Sequence, residues 1–181
     1  FGNTETFAGN LWLINANQRA LIKVTETGLP LNGSPAPAAN VTQYSITNPG
    51  CSNGDFRPWA LSFYNGLGYV GVVCSAETSQ VRGDLHAYIL SFNPSDVGSG
   101  FNTVVDFPLN FKREPASWGG VAGWQPWARN LADIKLRLQG RVSYPQPILA
   151  DIDFTATGDM IIGFMDRWGL QTTVYDPNPV T

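Results

Sequence analysis

The chain has 181 residues, with 11 basic and 14 acidic side chains and a formal net charge of -3. Only 14% of residues are charged, against about 25% in an average soluble domain, while 43% are hydrophobic, enough to bury a sizeable core. The 10 Phe, 6 Tyr and 6 Trp exclude a disordered chain. No apolar run reaches the length of a membrane-spanning helix, the few Lys and Arg form no basic stripe for nucleic acid, and the 1 His argues against His-rich zinc chemistry.

In chain order, residues 11–14 and 20–24 read as a hairpin. Residues 28–40, rich in Pro, Gly, Ala and Asn, read as a loop leading to a strand over 41–46. Strands over 59–63 and 68–74 are joined by Tyr64-Asn65-Gly66, and Asn-Gly is a strong hairpin signal. Strands over 85–92 and 102–107 flank the turn Asn93-Pro94-Ser95-Asp96. Residues 110–145 interrupt this rhythm. Within them, 128–138 reads either as a short helix, from Leu131, Ile134 and Leu138, or as a strand, from Ile134, Leu136 and Leu138. A last hairpin over 148–154 and 160–165 turns at Thr157-Gly158-Asp159, and 172–175 starts one more strand.

A repeat underlies this order. Arg57-Pro58-Trp59-Ala60-Leu61 and Gln146-Pro147-Ile148-Leu149 each open with an X-Pro step. Each runs through a Gly-containing turn into a strand with a central glycine, Gly71 or Gly163. The middle unit has all of its strands, residues 11–46 match the second to fourth strands of such a unit, and the last hairpin matches the first two. Four antiparallel strands per unit is the pattern of a β-propeller blade. The expected fold is therefore all-β, a single region over 1–181 of about two and a half propeller-like blades, with 110–145 inserted between blades. A β-sandwich is the alternative. A closed propeller takes at least about four blades, so the region is expected to belong to a longer chain or to be completed by other chains. Gly71 and Gly163 are expected where neighbouring blades approach closely.

Cys51 and Cys74 read as one disulfide in a chain of extracellular composition, low in Lys and rich in Asn, Gly, Thr and Trp. Two buried free thiols are the alternative. Closing a loop of about 23 residues is worth about 3 kcal/mol. Asn40-Val41-Thr42 is a glycosylation sequon.

Blade topology brings the start of a first strand and the end of a second to the same end of a sheet. Arg57, Glu77, Gln146, Asp166 and Arg167 are therefore expected on one face near a central channel, as ion pairs locking neighbouring blades or as a ligand site. Asp151, Asp153 and Asp159 are candidate calcium ligands, and no other cofactor is expected. His86 lies in a patterned strand and reads as a packing residue. Ser75 and Ser79 lack a nucleophile elbow or base. Glu77 and Asp166 are the carboxylate pair a glycosidase would use. Trp118, Trp124 and Trp127 in the insertion either contact glycans or protein partners or cover a blade surface.

Asp55-Phe56-Arg57-Pro58, residues 69–77, Asp84-Leu85-His86-Ala87-Tyr88, Tyr144-Pro145-Gln146-Pro147, Asp151-Ile152-Asp153-Phe154 and residues 163–169 also carry a family resemblance. They resemble the propeller-like regions that precede SdrD B-like repeats in large bacterial cell-surface adhesins. The resemblance covers most of 11–171, with moderately specific motifs. It implies export to the cell surface, supports pairing of Cys51 with Cys74, and implies no reaction. The expected function is a non-enzymatic scaffold or adhesion module at the cell surface. Its partners would be other surface proteins, further segments of the same chain, or glycans, with self-association through exposed sheet edges. A carbohydrate-binding module built on the Trp-rich insertion and a glycoside hydrolase using channel-face carboxylates are the alternatives.

Overall fold

The computed structural model describes residues 1–27, 29, 33–111, 123–134, 137–138, 141–142 and 144–171. β1 (Thr4–Phe7), β2 (Asn10–Asn15), β3 (Ala20–Thr25) and β4 (Val41–Ser45) form a four-stranded antiparallel meander in chain order. β5 (Phe56–Tyr64), β6 (Leu67–Cys74), β7 (His86–Phe92) and β8 (Asn102–Pro108) form a second. β9 (Arg137–Leu138) and β10 (Arg141–Val142) make a short antiparallel pair. β11 (Pro147–Phe154) and β12 (Met160–Asp166) form a hairpin, followed by the short helix α1 (Arg167–Gln171). The fold is all-β, and among the described residues no sheet closes into a barrel.

The turn chemistry explains the hairpins. Asn65 (φ 48°) and Gly66 (φ 81°) both take left-handed backbone and join Tyr64 to Leu67, which pair across the strands. That is the two-residue turn Asn-Gly favours. Ala8 and Gly9 do the same between β1 and β2, at φ 49° and 66°. β1 corrects the expectation that the first unit lacks its opening strand. Its sequence, Thr-Glu-Thr-Phe, carries one apolar residue, too weak an alternation to register as a strand. It is held from outside its own sheet: Asn3 donates its backbone N–H to Trp59 O at 2.8 Å and its side-chain Nδ2 to Leu61 O at 3.2 Å.

Successive residues of a strand face opposite sides, and the second sheet uses both. Leu61, Val70 and Phe92 pack with Trp12, Ile14 and Leu21 of the first sheet. Ala60, Val73 and Ile89 pack with Leu149 and Ile152 of β11. Aromatic rings fill both interfaces: Phe7 stacks on Phe63 at 4.5 Å between centroids, and Phe154 stacks on Tyr64 at 4.4 Å. The second sheet is thus covered on both faces, one layer more than a two-sheet sandwich. Its first strand, β5, lies against both β1 and β11.

Gly71 marks the tight point of the second interface. A Cβ there would overlap Leu149 Cδ2 and stand 2.9 Å from Ala60 Cβ. Gly163 differs from expectation: its nearest neighbour is Asp151 Cβ of its own hairpin, at 3.3 Å from a built Cβ, not an adjoining sheet. Cys51 and Cys74 form the disulfide, and among the described residues no cysteine is free. The bond ties the segment leading into β5 to the end of β6. The stretch 128–138 is neither a continuous helix nor a full strand, but a 3-10 turn at Leu131–Asp133 and the two-residue β9. Residues 112–122 of the insertion, with Trp118, and the expected strand at 172–175 lie outside the described residues.

Candidate functional site

Antiparallel pairing places the start of one strand beside the end of its partner. Arg57 pairs with Val73 and Pro147 with Asp166, so residues flanking these ends gather together. Arg57 Nη2 donates to both oxygens of Glu77, at 2.7 and 2.8 Å, and lies 3.0 Å from Asp55 Oδ2. Asp55 also pairs with Arg19, in the turn between β2 and β3. A chain of charges, Arg19, Asp55, Arg57 and Glu77, therefore runs from the first sheet across the second.

Gln146 is the hub on the hairpin side and is fully buried (0% exposed). Its Oε1 accepts from Ala128 N at 2.9 Å and from Arg167 Nη1 at 2.5 Å. Its backbone N–H donates to Asp166 Oδ1 at 3.0 Å, and the same oxygen accepts from Trp168 N at 3.0 Å. Gln146 Nε2 is buried without a hydrogen-bond partner. Between the two arginines lies Trp127. Its Nε1 donates to Pro147 O at 2.8 Å, and its ring centroid is 5.1 Å from Arg57 Cζ and 4.6 Å from Arg167 Cζ. Burial, and secondly the like charge of Arg57, push the Arg167 guanidinium below its ordinary value, with Glu77 opposing.

The five sequence-expected residues, Arg57, Glu77, Gln146, Asp166 and Arg167, are thus brought to one end of the fold. Two of them, Arg57 and Arg167, line a cleft of about 320 Å³ together with Trp59, Trp127 and Leu170, and with Asn17 from the turn after β2. Sequence reasoning did not place Trp59 and Trp127 there. Trp59 is the extra residue of a β-bulge, since the register shifts between Pro58 and Ala60. The signal for it is Pro58, because a proline in a strand, having no N–H, favours an edge or a bulge.

The other candidates are placed elsewhere. Trp124 is 4% exposed and packs 5.9 Å from Phe164, so burial removes it from the surface as a glycan or partner contact. Asp151 and Asp153 sit on β11, each accepting from the next backbone N–H. Asp159 instead accepts from Thr155 and Thr157 hydroxyls in the hairpin turn. The three do not assemble: among the described residues no three His, Cys, Asp or Glu side chains are grouped to hold a metal ion. Burial, and secondly the charges of Asp151 and Asp153, raise the carboxyl of Glu5 on β1. His86 lies 3.3 Å from Asp106 on the neighbouring strand and packs beside Tyr88. Ser79 donates to Asp84 Oδ2 at 2.6 Å, and Ser75 Oγ is buried without a partner.

Two curated proteins resemble the chain. Colossin-C of Dictyostelium discoideum is 28% identical over 174 residues, covering 93% of this chain and 15% of that protein. Colossin-A of the same organism is 36% identical over 121 residues, covering 64% of this chain and 1% of that protein. The chain thus spans a small part of each relative, and neither is bacterial. No family model matches the chain, and no solved structure matches it. The disulfide is consistent with a secreted or cell-surface location. Among the described residues no helix is long and apolar enough to cross a membrane.

Proposed function

We propose that the chain is a non-enzymatic scaffold or adhesion module of an extracellular or cell-surface protein, whose sheets act as propeller-like blades extended by further sheets. The observation that carries this reading is the second sheet, buried on both faces, with β5 flanked by β1 and β11. A stack of this kind grows by adding sheets at either end. Charged side chains at the convergent end support it, because they spend their contacts within the fold: Arg19 and Asp55 pair between the first sheet and the second, and the carboxylates of Glu77 and Asp166 are engaged next to their own strands. Both Glu77 oxygens are held by Arg57, and Asp166 Oδ1 is held by two backbone N–H groups. A glycosidase needs one carboxyl free to pass its proton to substrate. Similar stretches within two colossins, a small share of each, support a module used within larger proteins.

The test pairs a binding assay with an activity screen. Beads coated with the oxidised chain are expected to retain Dictyostelium discoideum cells under flow better than albumin-coated beads, and the chain is expected to turn over no chromogenic glycoside. Retention equal to albumin removes the adhesive role. Turnover that is lost in Glu77→Gln overturns the non-enzymatic reading.

A further inference from the structure

The cleft at the convergent end has an unspent charge. Among the described residues, Arg57 is paired with Glu77 and Asp55, but no carboxylate pairs with Arg167. Arg167 Nη1 donates to two neutral carbonyl oxygens, Gln146 Oε1 at 2.5 Å and Ala128 O at 3.5 Å. Its Nε and Nη2 have no protein acceptor among the described residues, and neither is a buried orphan. A guanidinium offers five donors in a planar fork, and the Nε/Nη2 edge fits a carboxylate through two parallel bonds.

Beside the paired Arg57 and Asn17, the rest of the cleft is apolar. Trp59 stands on the bulge of β5, with Pro58 and Ile148 beside it and the exposed Leu170 among the lining residues. Trp127 packs beside both guanidiniums and so limits the conformations Arg167 can lose on binding. At about 320 Å³ the cleft is at the small end of ligand sites. An aromatic wall with two guanidiniums, of which only Arg167 has no carboxylate partner among the described residues, suits a ring with an apolar C–H face and a single carboxylate.

We propose that this cleft binds an acidic sugar residue, with the carboxylate on the Nε/Nη2 edge of Arg167 and the ring face against Trp59. The site goes beyond the scaffold reading, which would survive its failure. The experiment titrates the folded, oxidised chain with D-glucuronate, D-glucose and acetate, followed by calorimetry and by tryptophan fluorescence. Glucuronate is expected to bind saturably, with glucose and acetate each weaker by about tenfold or more, since each keeps only half of the recognition. Arg167→Gln is expected to weaken glucuronate by at least about tenfold. Because Arg167 also holds Gln146, a second variant leaves that contact alone. Leu170→Glu adds a negative charge to the lining and is expected to weaken glucuronate, while Leu170→Lys does not. Absent binding, equal binding of glucuronate and either half-ligand, or equal affinities for Leu170→Glu and Leu170→Lys would each overturn the proposal.

Discussion

At Gly71 the second sheet and the hairpin come within the reach of one methyl group. The atoms a side chain would meet belong to Leu149 and Ala60, both 0% exposed, so neither can swing into solvent. Gly71→Ala is therefore expected to cost about 1–3 kcal/mol through overpacking, read as a lower denaturation midpoint. An unchanged midpoint would mean that the two layers part there without cost. Gly163→Ala meets only the exposed Asp151 of its own hairpin and is expected to be the milder change. In the sequence these two glycines look alike, because the repeat encodes the hairpin and not the layer that covers it. Arg57, Glu77, Gln146, Asp166 and Arg167 were legible for a related reason: hairpin pairing alone puts strand starts beside strand ends. Trp127 has no counterpart in the repeat, so nothing in the pattern links it to the arginines it packs against.

Among the elements, strands with strong alternation and turns with Asn-Gly or Gly were readable, and their ends shift by only a few residues in the fold. β1 was not, because its place depends on β5 rather than on its own four residues. Asn3 reaches Trp59 and Leu61, contacts far apart in sequence that no local pattern records. The disulfide acts at the same scale. It fastens the connection between the two four-stranded sheets onto the end of β6, with a sequence separation of 23 residues. Replacing both cysteines by serine is expected to lower stability by about 3 kcal/mol, seen as a fall in Tm with native-like circular dichroism at low temperature. A Tm unchanged by the double replacement would mean that Gln80, which donates to Glu77 O and Trp127 O, and its neighbours already hold this end of β6.

For the molecule as a whole, the second sheet decides how the chain unfolds. Ala60 and Leu61 are adjacent on β5, yet they serve different cores. Removing either neighbouring layer strips one face of the second sheet, so the layers should lose structure together. Leu61→Ala, on the face toward the first sheet, and Leu149→Ala, on the opposite interface, both remove side chains that are 0% exposed. Each is expected to cost about 2–5 kcal/mol and to move one shared transition, with tryptophan fluorescence and circular dichroism coinciding. Trp12 reports on the first interface and Trp124 on the second, so the fluorescence can tell the layers apart when other tryptophans are replaced. Two separated transitions, with Leu61→Ala moving only the Trp12 signal and Leu149→Ala only the Trp124 signal, would make the layers independent. In that case the ion chain from Arg19 to Glu77 joins units that stand alone, and the stack could not carry load between its two ends as a scaffold must.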